Sequence, residues 1–275
     1  MELASKVCLI AGASGAIGAA VARRFYQAGA HLALTSHSAN PEGLLRSLAG
    51  CQGRIRNFAL NISHRDEVQS VVAQVQKDFG AIHVLVNCTG ALGPIGPTHT
   101  VADQEWVRTI ETNLIGCFYL VHAVLPIMLA QRGGKIIHFS GGGAAYARPY
   151  FTAYSASKAA VVRFTESLAE ELREANIQVN AIAPGPVKSR MWDEMRAAGS
   201  LGGPRLLEEL KQMDATGGVP ADRAATLAVF LASHRSNGLT GRLINSVHDD
   251  WEHMESRIPR IMNSEAWTLR RVPLD

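Results

Sequence analysis

The chain has 275 residues, a formal net charge of +3, 47% hydrophobic residues and 19% charged residues. This length suits one large α/β domain or two small ones, and the composition predicts a soluble protein with a substantial core. The charge is too slight to indicate nucleic-acid binding, and we expect no apolar stretch to be long enough to span a membrane. The four cysteines lie in or beside apolar segments without the spacing of metal ligands, so we expect no metal site, reduced thiols and a cytoplasmic location.

Short apolar runs alternate with segments of helical periodicity along the chain. The strand candidates are 6–11, 31–36, 54–59, 82–87, 134–140, 177–183 and 240–246, and the helical candidates are 17–28, 41–49, 65–79, 103–130, 152–175 and 220–233. This alternation predicts an α/β fold, a doubly wound, Rossmann-type parallel sheet of about seven strands with helices on both faces. We expect a single domain over residues 1–246, with a ligand across the carboxyl ends of its strands.

Two regions stand outside this alternation. Residues 190–218 carry several large apolar side chains between the sixth strand and the next helix, which predicts a substrate lid of about that extent. The alternative is a surface pair of helices packed on the core. Residues 247–275 are aromatic and basic, and we expect this C-terminal extension to pack on the core or on a neighbouring subunit.

A glycine-rich turn follows the first apolar strand. The sequence Ala11-Gly12-Ala13-Ser14-Gly15-Ala16-Ile17-Gly18 opens an amphipathic segment, so it joins a strand to a helix. Small residues let a pyrophosphate approach the backbone, and the helix N-terminus supplies free N–H groups and a positive dipole. The turn therefore predicts a dinucleotide site at Gly12, Ser14, Gly15, Ile17 and Gly18.

A tyrosine and a lysine lie four residues apart, at Tyr154 and Lys158, on one face of a predicted helix. An ammonium group close to a phenol favours the phenolate, so this pair can act as a general acid and base without a metal. By itself the spacing is common and more often marks a solvated pair on a helix.

These motifs together resemble the short-chain dehydrogenase/reductase family, in its short, single-domain branch. The glycine turn, Asn113 and Tyr154-x-x-x-Lys158 occur in the family's order and spacing, and the resemblance runs through most of the chain. Further family motifs are Asn87-Cys88-Thr89-Gly90, Val179-Asn180-Ala181 and Pro184-Gly185-Pro186-Val187-Lys188-Ser189. The resemblance implies an NAD(P)-dependent oxidoreductase that moves a hydride between nicotinamide and a secondary alcohol or ketone of a small-molecule substrate.

The resemblance also implies where the cofactor lies. Asn61 and Ile62 would face the adenine, and Asn87, Thr89 and Gly90 would border the adenosine ribose. Tyr154, Lys158, Pro184, Val187 and Ser189 would contact the nicotinamide side, with the Val187 backbone on the carboxamide and Ser189 near the phosphates.

Cofactor choice is expected at the end of the second strand. Family members selective for NAD place Asp at the position of Ser36, where it accepts a hydrogen bond from the ribose hydroxyl. Ser36 removes the charge that would repel a 2′-phosphate, but His37 stands where NADP-selective members often have Arg. We therefore expect NADP in preference to NAD, without excluding NAD.

The catalytic roles follow from the same resemblance, with one departure. Tyr154 would exchange a proton with the substrate oxygen, Lys158 would lower its pKa, and Asn113 would bend its helix and position a water molecule. The family's serine normally occupies the position of Gly141. We expect Ser140 to act in its place as an oxyanion donor, since the following glycines free the backbone, and the alternative is an enzyme that relies on Tyr154 alone.

Other functions remain open at this level. The alternatives are a nucleotide-sugar epimerase or dehydratase and a catalytically silent cofactor-binding sensor or scaffold. In the family, the helices corresponding to 103–130 and 152–175 form a four-helix contact between subunits, so a homodimer or homotetramer is expected. Nothing in the sequence identifies the substrate.

Overall fold

The computed structural model describes residues 1–37, 43–44, 48, 53–272 and 274, and it contains a seven-stranded sheet. The strands are β1 (Val7–Ala11), β2 (His31–Ser36), β3 (Ile55–Ala59), β4 (Val84–Asn87), β5 (Gly134–Phe139), β6 (Ile177–Ala183) and β7 (Leu243–Asn245). Their order is β3-β2-β1-β4-β5-β6-β7, and each described neighbouring pair is parallel. The predicted doubly wound fold is confirmed.

Helices cover both faces of this sheet. They are α1 (Ala16–Gln27), α2 (Arg65–Phe79), α3 (Asp103–Ile110), α4 (Gly116–Gln131), α5 (Thr152–Glu171), α6 (Arg190–Ala198), α7 (Gly203–Thr216), α8 (Ala221–Ala232) and the short α9 (Ile258–Met262). The helix predicted at 41–49 lies mostly outside the described residues. The other predicted helices are present, with short 3₁₀ turns at several ends.

The strands are apolar on both sides because each side packs on its own helical layer. In β1, Cys8 and Ile10 belong to the core beneath α1 and α8, whereas Leu9 and Ala11 belong to the core beneath α2 and α4. This division follows from the two-residue repeat of a strand. In the sheet, β2 lies on one side of β1 and β4 lies on the other. This reversal of strand order opens a crevice at the carboxyl ends of β1 and β4.

The stretch predicted as one helix at 103–130 is divided. A π-helical segment, Glu111–Ile115, separates α3 from α4. The continuous run Asp103–Gln131 has 29 residues and a mean hydropathy of 1.9 in its most apolar window. By length and composition alone it could cross a membrane, so the expectation that no stretch is long enough was wrong. Here it packs on the sheet through residues such as Leu120, Val124 and Met128.

The two regions outside the alternation pack on the rest of the domain. Residues 190–218 form α6 and α7, which pack around Phe151 and Tyr154 at the carboxyl end of the sheet. In the C-terminal extension, Trp251 and Met254 are buried in the same core as β1 and α8. The extension therefore completes the core of its own chain.

Candidate active site

The glycine turn between β1 and α1 has no space for side chains at two positions. Gly12 has φ +77°, and a Cβ there would lie 3.0 Å from the main chain of Cys88 and Thr89. A Cβ on Gly18 would lie 2.8 Å from the carbonyl carbon of Gly12. No side chain caps the N-terminus of α1, and Ser14 and Gly15 are exposed beside it. This arrangement fits a dinucleotide, since the first N–H groups of the helix are open to a pyrophosphate.

The residues expected at the adenosine end lie at the ends of β2 and β3. Ser36 is 2% exposed, whereas His37 is exposed. The Oδ1 atom of Asn61 accepts a hydrogen bond from the Ser63 amide at 3.1 Å, and Ile62 is buried. The carboxylate of Glu67 accepts from the Asn61 amide at 2.9 Å. The Asn61 side chain thus stabilises its own turn.

The loop after β4 connects the cofactor turn to the catalytic helix. The Oδ1 atom of Asn87 accepts hydrogen bonds from the Thr89 amide at 3.0 Å and the Thr89 hydroxyl at 2.6 Å. A Cβ on Gly90 would lie 3.3 Å from Nζ of Lys158 and 3.7 Å from Oδ1 of Asn113. The glycine therefore lets this loop approach both polar side chains.

The loop after β6 leads into α6. The Val187 amide donates to the Gly185 carbonyl at 3.0 Å, and Val187 is 6% exposed. Ser189 is the residue before α6, and its hydroxyl does not cap the helix. The carbonyl of Pro184 accepts from the Ser246 hydroxyl at 3.1 Å, which ties this loop to the end of β7.

The structure brings Asn113, Tyr154 and Lys158 together at the carboxyl ends of β4 and β5, each 8% exposed or less. Nζ of Lys158 donates to the carbonyl of Phe139 at 2.9 Å and lies 5.9 Å from the centre of the Tyr154 ring. The Asn113 side chain exchanges two hydrogen bonds with the main chain of Ala91, at 2.7 and 2.9 Å. Asn113 belongs to the π-helical segment, and these bonds fix the loop after β4 to that segment.

The electrostatics of Tyr154 differ from the expectation. Burial raises the pKa of its phenol to about 12, and the positive charge of Arg148 opposes this rise. Burial lowers the pKa of Lys158 to about 8. Without a bound cofactor, desolvation therefore dominates at Tyr154, and the predicted lowering of its pKa by Lys158 is not found.

The neighbourhood of the missing serine is crowded. A Cβ on Gly141 would lie 2.8 Å from Cζ and 3.0 Å from Cε1 of Tyr154. Ser140 is 3% exposed, and its Oγ has no hydrogen-bond partner among the described residues. The structure thus holds Tyr154 against position 141 and leaves one buried hydroxyl of the adjacent residue unsatisfied.

Around Tyr154, sequence reasoning predicted the apolar residues of 190–218 but missed Leu92, Phe151 and Arg148. An apolar cluster surrounds its ring, formed by Leu92, Phe151, Trp192, Met195, Leu206, Leu210 and Met213. Arg148, with a side chain only 9% exposed, stacks on Phe151 at 4.1 Å. The position of Arg148, in the loop between the glycines and Tyr154, was the available signal. His138 is buried beside Cys117, at 3.3 Å from Nδ1 to Sγ, and burial lowers its pKa to about 3.

Comparisons with known proteins show the family of this chain. The family model of the short chain dehydrogenases matches residues 6–199. The 3-oxoacyl-(acyl-carrier-protein) reductase of Thermotoga maritima is 34% identical over 89% of this chain and 97% of its own. The D-threitol dehydrogenase of Mycolicibacterium smegmatis is 34% identical over 87% of this chain and 90% of its own.

Solved structures support the same family. NAD⁺-bound xylitol dehydrogenase superposes with a TM-score of 0.82 and 26% identity, covering 89% of this chain and 98% of its own. An actinorhodin polyketide ketoreductase with NADPH has a TM-score of 0.78 and 29% identity, covering 87% and 95%. These relatives do not favour the epimerase, dehydratase or silent sensor. The chain belongs to the short-chain dehydrogenase/reductase family and is an oxidoreductase that transfers a hydride between a nicotinamide cofactor and an alcohol or carbonyl substrate.

Proposed function

We propose that Tyr154 exchanges the proton with the substrate oxygen, with Lys158, Asn113 and Ser140 as its partners. The observation that carries this proposal is the position of the Tyr154 ring. It lies against the side-chain-free Gly141 at the carboxyl end of the sheet, with Nζ of Lys158 5.9 Å from its centre. A phenol at the carboxyl end of the sheet with an ammonium group beside it is placed for general acid and base catalysis at a substrate oxygen.

The protonation of this site favours the role of a proton donor. The bound nicotinamide supplies or accepts the hydride at its C4 atom. Because the pKa of Tyr154 is raised to about 12, its phenol is protonated at neutral pH and can donate to a carbonyl oxygen as negative charge develops there. Lys158 keeps most of its charge at neutral pH, with a pKa of about 8, and stabilises the phenolate that remains.

Ser140 completes this proposal as the second donor to the substrate oxygen. Its buried Oγ lacks a partner among the described residues, and buried hydroxyl groups without partners are uncommon in proteins. A substrate oxygen bound near Tyr154 would supply an acceptor for this hydroxyl. The donor would then act where charge develops in the transition state.

The apolar cluster around Tyr154 supports a substrate pocket covered by α6 and α7. Trp192, Met195 and Leu206 from these helices are buried on the side of Phe151 and Tyr154. We propose that residues 190–218 form a lid that excludes water from the reacting carbonyl. The substrate is a small molecule with a secondary alcohol or a ketone, and no nucleic-acid or membrane partner is proposed.

Isotope transfer tests this function. NADPH and NADH, each carrying deuterium at C4, would be offered with a panel of sugar-derived, steroid and short aliphatic ketones. We expect mass spectrometry to find deuterium on the new carbinol carbon of at least one product, because hydride transfer does not exchange with water. Consumption of cofactor without labelled alcohol would contradict the proposed reaction.

For the cofactor we propose NADP in preference to NAD. Ser36 carries no charge at the end of β2, and the exposed His37 can hydrogen bond to a phosphate. Solved relatives contain either form, since one is bound to NAD⁺ and another to NADPH.

A single substitution tests this preference. In Ser36→Asp, the new carboxylate repels a 2′-phosphate and accepts from a ribose hydroxyl, so calorimetry should show the affinity ratio shifting toward NAD. The matched control is Ser63→Asp, which adds the same charge beyond the neighbouring strand. Wild type that already binds NAD at least tenfold more tightly would overturn the NADP proposal.

We also propose a homodimer or homotetramer in the cytoplasm. Phe118 and Leu129 on α4 are each 44% exposed, although both are large and apolar, and Phe118 lies 6.5 Å from the Phe164 ring on α5. A subunit contact would cover this face. The cytoplasmic location is supported by the thiols of Cys8, Cys88 and Cys117, which are free.

A further inference from the structure

A buried cation borders the same glycine segment as Tyr154. A Cβ on Gly141 would contact the Tyr154 ring, and a Cβ on the next residue, Gly142, would lie 3.3 Å from Nη1 of Arg148 and 3.2 Å from the Tyr146 hydroxyl. The Cα atoms of adjacent residues are about 3.8 Å apart, so Tyr154 and Arg148 border neighbouring positions of one segment. The charge of Arg148 is also close enough to act on the Tyr154 phenol.

Arg148 is held there by aromatic and acidic contacts. Its guanidinium lies 4.1 Å from the centre of the Phe151 ring, in the apolar cluster around Tyr154. It also donates to the carboxylate of Glu209, which comes from α7. The lid helix thus supplies the carboxylate that neutralises Arg148.

The charges of this cluster do not cancel. Arg205 also pairs with Glu209, with 3.2 Å between Nε and Oε1, and its guanidinium stacks on the Tyr146 ring at 4.8 Å. Two guanidinium groups therefore share one carboxylate. The positive excess borders the apolar cluster around Tyr154, and it favours an anionic ligand.

Movement of the lid changes this balance. If α7 moves to admit a substrate, Glu209 moves with it, and Arg148 loses its carboxylate inside an apolar cluster. A buried charge that loses its partner is strongly destabilised. A carboxylate on the substrate would replace Glu209, because the planar guanidinium binds such groups through two parallel N–H donors.

We propose that Arg148 is a specificity-determining residue that binds a carboxylate of the substrate, so that the enzyme prefers oxo acids and hydroxy acids over their neutral analogues. Glu209 occupies this subsite when no substrate is bound. This inference rests on the proposed function of Tyr154. The charge of Arg148 also acts on the Tyr154 phenol, whose pKa it lowers against the effect of burial.

Matched substrates test the proposal. Short oxo acids and their methyl esters share one carbon skeleton and differ in charge, so the ratio of kcat/KM for acid over ester isolates recognition of the carboxylate. The variants are Arg148→Met, Arg148→Lys and Glu209→Gln. The control is Arg196→Met, which removes an exposed arginine of α6 that pairs with Asp214 of α7.

We expect wild type to prefer the acid. In Arg148→Met, the ratio of kcat/KM for acid over ester should fall at least tenfold, as for the loss of a charged hydrogen bond. Arg148→Lys should keep part of the preference, and Arg196→Met all of it. Glu209→Gln should raise the ratio, because Arg148 loses its internal competitor. If Arg148→Met does not fold, the acid-to-ester ratios of Arg148→Lys and Glu209→Gln still test the proposal.

Three results would overturn the proposal. Equal losses for acid and ester in Arg148→Met would make the pair with Glu209 a structural latch. Wild-type reduction of esters in preference to acids would exclude carboxylate recognition and leave the proposed function intact. If wild type reduces neither the acids nor the esters, and no ketone in the isotope panel gives labelled alcohol, the proposed function itself is contradicted.

Discussion

At the scale of single residues, Tyr154 and the residue at position 141 compete for one volume. A Cβ on Gly141 would lie 2.8 Å from Cζ of Tyr154, far inside van der Waals contact. A serine at 141 would require the tyrosine ring or the backbone to move. The glycine is therefore coupled to the present position of the ring, and the nearest hydroxyl available is that of Ser140.

Ser140→Ala tests this exchange of positions. If the hydroxyl donates to the substrate oxygen, turnover should fall by about a hundredfold with little change in cofactor affinity, as for other lost oxyanion donors. Steady-state kinetics and the melting temperature should be measured together. Turnover within a few-fold of wild type, with a lowered melting temperature, would make Ser140 purely structural.

The double variant Ser140→Ala/Gly141→Ser provides the control. It restores a serine where the family usually has one, but the new Cβ contacts the Tyr154 ring. We expect no recovery of turnover. Full recovery would show that the ring moves freely and that the two positions are interchangeable.

At the scale of elements, the sequence predicts what repeats along the chain. The two-residue and helical periodicities and the glycine turn locate all seven strands, because each signal arises from local backbone geometry. The break of the predicted helix 103–130 has no such periodic signal, and only the family resemblance, through Asn113, predicts a bend there. In the structure, Asn113 is bonded to Ala91, which is remote in sequence. The contacts of Arg148 with Glu209 and Phe151 likewise depend on tertiary packing.

Asn113→Ala tests the role of the π-helical segment. The substitution leaves the half-buried amide and carbonyl of Ala91 without their side-chain partners. We expect the free energy of unfolding to fall by about 1–3 kcal/mol, the penalty for such unsatisfied groups, and cofactor affinity to weaken because the loop after β4 is released.

Urea denaturation and cofactor titration measure these two effects. Ser157→Ala is the control, since it removes the bond from Asn113 and the bond that the Ser157 hydroxyl donates to the Tyr154 carbonyl, but leaves both bonds to Ala91. Its effect should be smaller. An Asn113→Ala variant as stable as wild type would contradict the assigned role.

At the scale of the whole molecule, the apolar surface of α4 is the face that the proposed assembly would cover. One face of this helix packs on the sheet, whereas Phe118 and Leu129 lie on the surface. This explains how a run with the hydropathy of a membrane span can belong to a globular domain: a second subunit, rather than lipid, would cover the exposed apolar side chains.

Phe118→Glu tests the assembly. A carboxylate at this position would be desolvated in a subunit contact, so light scattering should show a smaller mass than for wild type. Leu207→Glu, at a residue 42% exposed on α7, is the control and should keep the wild-type mass. A monomeric wild type would refute the proposed oligomer.

The central claim is that the Tyr154 phenol carries the proton in hydride transfer, and Tyr154→Phe tests it most directly. The substitution keeps the ring in its apolar cluster and removes only the hydroxyl. With the best ketone from the panel, we expect turnover to fall by about three orders of magnitude or more, since general acid catalysis and a contact to the oxyanion are lost together. Cofactor affinity and melting temperature should stay close to wild type, and Tyr119→Phe, which removes a hydroxyl from α4, should keep full turnover. Near-normal turnover in Tyr154→Phe would contradict the account.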